Sequence, residues 1–570
     1  MAVPGPVVLD LSPAQSPEYA ERGIARYTLE YARALVTRHP ELVGGLLVDP
    51  HRPPPPGIEE WAQHHAVAPG DWEPGPEHIL HLLSPFELDQ PLERMWPRAA
   101  TAAGTRLVVT VYDLIPELFP AQYLADPGLR RRWRARTGLV RAAARVLAIS
   151  ASTAADVETH LGIPPELITV IGAGCSRAFG PPIEREAAAV AVRARVPDLA
   201  ERFVIYNGGT DPRKNLERLL EAWARLAPAL RGGRQLVVAC RLAPGAEHHY
   251  RTTAAGLGIG ASVLFTGRVD DPVLAGLYQA AELMVFPSLY EGYGLPVVEA
   301  RACGAPVIAA NNSCLPELVA AEATFDASDP GAIAAAIERG LVDPAFRERL
   351  AAAAVAPPPT WDAVVDRAAT VYEEMRGRRR SSRSRGAAAV VLPARSSPWA
   401  LADLSLAERL AEQVAGDVDF FAPLDAAAAG PDDHWGGRPV APLSTLAAAA
   451  AARGGYDTMV VLLAAHPAYG GPLEVLLGGR AGIAVSVMAV ARDRSLAAAY
   501  RSLGPGPFAE AWRAHYPAPL SPTDEPERGF MVRAAVAAAD AYLVPTPDTA
   551  VVVRAELPPE LGARVVAMSA

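Results

Sequence analysis

Phe286-Pro-Ser-Leu-Tyr-Glu291-Gly-Tyr-Gly-Leu-Pro-Val-Val-Glu299-Ala300 joins the end of an apolar strand, a glycine-bearing loop and the first turns of a helix. Pro296 stands in the helix's opening turn, where proline's missing amide costs nothing. Gly292 and Gly294 let the backbone come close to a ligand. The free amides of a helix start, at the positive end of its dipole, suit a phosphate. Strand, loop and helix in this order form the unit of an open parallel sheet, which binds ligands beyond the carboxyl ends of its strands.

The same alternation extends outward. From residue 7 to about 375, short β-rich runs alternate with amphipathic helical patterns, which predicts parallel sheets wrapped by helices. A first block has strands near Val7–Leu9, Leu46–Val48, Leu107–Val111 and Val146–Ile149. A second has them near Phe203–Tyr206, Leu236–Ala239, Val263–Phe265, Leu283–Phe286 and Val307–Ala309. Gly180-Pro-Pro182 reads as the hinge between them. The division is residues 1–180 and 181–376, each a Rossmann-like domain, with a closing helix at 360–376 capped by Thr360.

Lys214 is the only lysine in the chain. A composition that has otherwise replaced lysine by arginine marks the survivor as a place for a compact point charge rather than a planar fork. It lies in Tyr206-Asn-Gly-Gly-Thr-Asp-Pro-Arg213-Lys214-Asn215-Leu216, between an apolar run and a helical pattern. All four asparagines (207, 215, 311 and 312) fall within this second block. From one strand-to-helix turn Lys214 would neutralise a pyrophosphate, and from the other Glu299 would accept hydrogen bonds from ribose hydroxyls. Glu291 would stand near the sugar–phosphate junction, so the group as a whole describes a site for a nucleoside-diphosphate leaving group.

With Gly208-Gly-Thr-Asp-Pro-Arg-Lys-Asn-Leu216, Leu264-Phe-Thr-Gly-Arg-Val269 and Gly304 through Glu317, the opening stretch resembles the donor half of retaining glycosyltransferases of family 4. In that family two glutamates separated by seven residues mark the donor site, as Glu291 and Glu299 are here. The resemblance covers residues 1–376 and implies the GT-B fold, two Rossmann-like parallel-sheet domains facing across a cleft. It implies that Lys214, with Arg213, holds the diphosphate, that Asn215 is among the donor-binding residues, that the Gly292-Tyr293-Gly294-Leu295 backbone holds phosphate and sugar, and that Glu299 holds the ribose. The acceptor would lie against Gly23, Arg26, Tyr27 and Asp113 of the first domain. Lys214, Glu291 and Asp113 would carry the chemistry, by front-face attack within an ion pair or, alternatively, with Glu291 as nucleophile. Two departures stand out: Gly209 where many relatives have an arginine, and Tyr112 where many have a histidine, which moves the acceptor-side polar role to Asp113. A second reading of Asp113 is a cap on the turn before Pro116.

Val111-Tyr-Asp-Leu-Ile-Pro116 resembles bacterial mannosyl- and rhamnosyltransferases of polysaccharide assembly, which implies a GDP-sugar donor and a glycan or lipid-linked acceptor. No metal and no cofactor beyond the nucleotide sugar is expected. An epimerase acting on the nucleotide sugar, another GT-B enzyme such as a phosphorylase, and a non-catalytic glycan- or nucleotide-binding scaffold are the competing readings.

Composition limits the rest. A net charge of -10 argues against a general nucleic-acid binder. The first residues lack a basic n-region, and no apolar stretch reaches membrane-spanning length, so a cytoplasmic protein is expected. Cysteines 175, 240, 303 and 314 show no CxxC spacing and read as free thiols. Residues 377–387 form a linker overlapping an arginine-rich run, Arg376–Arg385, that reads as a solvated tether or as a peripheral contact with anionic lipid at the inner membrane face. Beyond it, 388–570 repeats the first block faintly: Val390-Val-Leu392 precedes Ala400–Leu406 as the first strand precedes Gly23–Leu29, and Pro-Pro-Glu-Leu occurs at 164–167 and at 558–561. It is expected to be an additional, partial Rossmann-like domain, a degenerate or truncated copy of the acceptor half.

Overall fold

A computed structural model describes residues 6–377, apart from 17–22, 56, 58–65, 68–71, 76, 89–91, 97–99, 101–104, 142, 183 and 353–359. Beyond 387 it describes Leu392 and the strands between 388 and 567. The first sheet contains β1 (Val7–Asp10), β2 (Val43–Leu47), β3 (Ala66–Val67), β4 (Ile79–Leu82), β5 (Arg106–Val111), β6 (Arg145–Ala148) and β7 (Ile168–Val170), in the order β3-β2-β1-β4-β5-β6-β7. The second contains β8 (Arg202–Tyr206), β9 (Arg234–Val238), β10 (Val263–Phe265), β11 (Leu283–Phe286), β12 (Val307–Ala310) and β13 (Thr324–Phe325), ordered β10-β9-β8-β11-β12-β13.

Every pairing in these two sheets is parallel. Helices cover both faces of such a sheet, so its central strands are apolar on both sides. Accordingly Phe203, Val204, Ile205, Tyr206, Leu283, Met284, Val285 and Phe286 are all buried. Strand order reverses at β1/β4 in the first sheet and at β8/β11 in the second. The loops leaving β8 and β11 therefore start side by side, which brings Lys214 and Glu291 together although 77 residues separate them.

The helix Trp361–Gly377 begins beyond Thr360, whose hydroxyl accepts from the Ala363 amide at 3.2 Å, and it packs against the helix Gly23–Arg38 of the first block. Arg38 and His39 bond Asp366, and Arg367 donates to the Ile171 carbonyl. Tyr372 joins Tyr31 and His81 Nδ1, each at 2.6 Å, while His81 Nε2 meets Thr110 Oγ1 at 2.8 Å. Burial holds the His81 imidazole down at about 3, so it is neutral and structural.

The third sheet contains β14 (Ala388–Val391), β15 (Val418–Ala422), β16 (His434–Trp435), β17 (Arg438–Pro442), β18 (Thr458–Leu463), β19 (Ala484–Ala489), β20 (Ala541–Val544) and β21 (Val565–Ala567). Its order is β16-β17-β15-β14-β18-β19-β20-β21. Without the antiparallel edge strand β16, this is the strand order of the first sheet repeated. The arginine-rich linker, Ala400–Leu406 and the second Pro-Pro-Glu-Leu lie outside the described residues.

Candidate active site

The phosphate turn follows β8. Asp211 caps it: its side chain accepts from the Arg213 amide at 2.9 Å and its carbonyl from the Lys214 amide at 2.9 Å. Asn215 then takes a left-handed φ of 63°, which a short polar side chain tolerates better than most. Its side-chain amide donates to Pro287 O at 3.0 Å and Ala327 O at 2.8 Å, and the residue is buried. Asn215, expected among the donor-binding residues, uses its side-chain amide to fix the turn to the β11 loop. Its Oδ1 accepts from Arg218 at 3.0 Å.

Those cations converge on one carboxylate. Lys214 Nζ lies 2.6 Å and Arg213 Nη1 3.3 Å from Glu291 Oε1, and Arg213 also donates to the Tyr290 carbonyl. All three side chains are largely buried. Burial acts to raise the Glu291 carboxyl, but Lys214 and Arg213 outweigh it and hold the group below its ordinary value. Asp113, from the loop after β5, faces this cluster across the cleft. Burial raises its carboxyl, while the Ile115 amide, at 3.0 Å, and Arg213 pull it back and Glu291 pushes it up. The capping reading of Asp113 is thus seen directly in the turn before Pro116, and its carboxylate also feels the charges of Arg213 and Lys214.

The blocks meet backbone to backbone at Gly292, where an added β-carbon would stand 2.0 Å from the Tyr112 carbonyl oxygen. Thr153 Oγ1 lies 3.1 Å from that carbonyl and 3.2 Å from the Gly292 carbonyl, bridging the two. Gly294 has a φ of 86° and caps the helix Leu295–Ala302, and Leu295 Cδ1 would lie 3.5 Å from a β-carbon at Gly23. Tyr293 is buried and donates to the Ala173 carbonyl at 3.0 Å, so its ring is scaffold.

Glu299 sits on that helix, buried, and burial lifts its carboxyl to about 7, against Arg26 pulling down and with Asp271 pushing up. Arg26, expected at the acceptor, instead bonds Asp271 at 2.7 Å and Glu299 at 3.4 Å, both in the second block. Tyr27 is likewise withdrawn from the cleft: it is 1% exposed and its hydroxyl donates to the Gly172 carbonyl at 3.0 Å. Its place in the Gly23–Arg38 helix turns it toward the core, against Tyr112 and Trp361. Tyr112 is buried too, its phenol carried away from the cations while its carbonyl stays against Gly292. Among the described residues, no group of three or more His, Cys, Asp and Glu side chains is placed to hold a metal ion.

Comparison with known proteins identifies the family. Residues 22–178 match the model of glycosyltransferase family 4, and residues 193–356 match that of the glycosyl transferases group 1. D-inositol 3-phosphate glycosyltransferase 1 of Catenulispora acidiphila is 30% identical over 370 residues, 60% of this chain and 85% of that protein. The serotype-specific mannosyltransferase WbdA of Escherichia coli is 32% identical over 253 residues, 44% of this chain but only 31% of its own length. Among solved structures, the sucrose-phosphate synthase of Thermosynechococcus elongatus superposes with a TM-score of 0.51 at 21% identity, over 65% of this chain and 99% of that one. The two facing parallel sheets are those of the GT-B fold. The chain belongs to the family 4 glycosyltransferases.

Proposed function

We propose that this chain transfers a hexose, mannose-like, from a nucleoside-diphosphate sugar to a hydroxyl of a glycan or lipid-linked acceptor, with retention of configuration. The observation that carries this is the Lys214–Arg213–Glu291 cluster beside the Leu295–Ala302 helix start, with Asp113 facing it. The mannosyltransferases among the relatives support the sugar, and the chain's departure at Tyr112 leaves Asp113 as the acceptor-side polar group.

In this reading Glu291 holds the two cations in place until the donor arrives. The diphosphate then takes over Lys214 and Arg213, and the glycosyl C1–oxygen bond breaks with its electron pair leaving on phosphate. The acceptor oxygen bonds to C1 from the same face, and its proton passes to the departing phosphate oxygen. Positioning and charge stabilisation supply the catalysis. Glu291 as nucleophile is disfavoured by its ion pairs, which lower a carboxylate's electron density where attack would need it. NMR of the product's anomeric centre tests the stereochemistry: the donor's configuration is expected, and its inverse would contradict the mechanism.

Glu299 yields a pH prediction. Its folded value near 7 means that the folded chain holds a proton the unfolded chain has lost, so its contribution to stability falls as pH rises from the ordinary carboxylate range to about 7. Ribose hydroxyls donate to the ionised form. Donor affinity should therefore rise roughly tenfold between about pH 6 and pH 8, with proton release on binding. Calorimetry in buffers of different ionisation enthalpy checks this, and Glu299→Gln should flatten the profile.

The repeated strand order of the third sheet supports reading 388–567 as a second acceptor-type half. It contains no lysine and is proposed as a binding unit rather than a catalyst. The arginine run at 376–385 is proposed as a peripheral lipid contact. Among the described residues, no helix is long and apolar enough to cross a membrane.

A further inference from the structure

Two phenol–carboxylate pairs cross the cleft in opposite directions. Tyr123, in the first block, donates to Asp211 in the phosphate turn, with its hydroxyl 2.8 Å and 2.9 Å from the two carboxylate oxygens. Tyr290, in the second block, donates to Asp156 at 2.6 Å, on the helix Ala151–Leu161 of the first. Phe119, four residues before Tyr123, packs edge-on against the Tyr290 ring with centroids 6.0 Å apart, so the segment that bears one phenol touches the other phenol. Glu317 adds a third link from the second block, accepting from the Ala151 amide at 3.0 Å and the Ser152 amide at 2.8 Å, at the start of the Ala151 helix.

Each pair has one member beside the reaction machinery. Asp211 caps the turn that presents Arg213 and Lys214, and Tyr290 immediately precedes Glu291. Tyr123 occupies both oxygens of Asp211, while Arg213 Nη2 stays 3.8 Å from that carboxylate and reaches Glu291 instead. Without the phenol, Asp211 and the turn it caps lose this tie to the acceptor block. Burial and the two carboxylates raise both phenols, Tyr123 to about 12, so each remains a donor at any working pH.

We propose that Tyr123 and Tyr290 are positioning residues, a reciprocal clasp that fixes the Arg213–Lys214 turn and Glu291 against the acceptor block when the cleft is closed. This inference rests on the donor-site reading above, and its test separates the two. In the full chain, Tyr123→Phe and Tyr290→Phe should each lower kcat about tenfold and leave the KM for the nucleotide sugar within about threefold, because the donor's own block is intact. Amide exchange should quicken at 151–153 in Tyr290→Phe and at 211–214 in Tyr123→Phe, with the melting temperature unchanged. Asp156→Ala should match Tyr290→Phe, and the double variant should lose no more than either alone. Faster exchange in a protein whose wild type consumes no donor would uphold the clasp and sink the transferase reading. Unchanged kcat with unchanged exchange, or fully additive losses in the Tyr290–Asp156 cycle, would overturn the clasp.

Discussion

Replacing Lys214 by alanine is expected to lower kcat/KM for nucleotide release by about 10³-fold, the scale on which loss of a single preorganised electrostatic contact is felt in a water-poor site. Lys214 is the nearer of the two cations on Glu291, at 2.6 Å, in a pocket where both side chains are largely buried. Its removal leaves Glu291 and an incoming diphosphate as like charges sharing Arg213 alone. Lys214→Arg preserves the charge yet should recover no more than about tenfold of the loss, because a planar fork cannot occupy the place of a compact ammonium beside a second guanidinium. Rapid-quench measurement of nucleotide release, with thermal melts alongside, separates this effect from unfolding. A Lys214→Arg variant with wild-type rates would show that charge alone matters there.

Gly292→Ala is expected to lower kcat by about 10²-fold while sparing donor binding. The added methyl would stand 2.0 Å from the Tyr112 carbonyl oxygen and 3.1 Å from Asp113 Cβ. Both lie in the other block, and a backbone carbonyl cannot turn aside as a flexible side chain would. The blocks must part by an ångström or more, and a displacement of that size at the reacting atoms is worth about two orders of magnitude. Nothing inside either block is lost, so the melting temperature should hold. Gly245→Ala serves as the control, since its methyl would meet nothing within 4 Å. Equal rates in both variants would mean that the close approach at Gly292 plays no part in turnover.

The donor-side architecture was legible because its signals are local. Val263–Phe265 and Leu283–Phe286 fall on the expected residues, and Pro296 lies in the first turn of its helix as proline chemistry requires. β4 escaped because His81 interrupts its apolar run, and the groups that satisfy that imidazole, Thr110 and Tyr372, are 29 and 291 residues away. β3 and β13 are two-residue strands, too short to carry a period of their own. At the site, charge and spacing identified Lys214, Glu291 and Glu299, whereas the side-chain work of Asn215, Arg26 and Tyr27 depends on partners no local pattern discloses. Asn215 is held by carbonyls at 287 and 327, and Arg26 by Asp271 and Glu299. Tyr123, Tyr290 and Glu317 gave no signal for the same reason, their partners lying 88, 134 and about 165 residues away. The third block differs: its sequence echo of the first is faint, but its strand order is the same once β16 is set aside, because parallel topology tolerates extensive side-chain change as long as apolar strands recur in sequence.

The most direct measurement incubates the purified chain with GDP-, UDP- and dTDP-sugars, with and without mixed glycan and lipid-linked acceptors, and follows nucleotide release beside Lys214→Ala and Glu299→Ala. Release from one donor, quickened by acceptor and lost in both variants, is the predicted result. A donor that binds in the wild type but is not consumed under any of these conditions would contradict the transferase account.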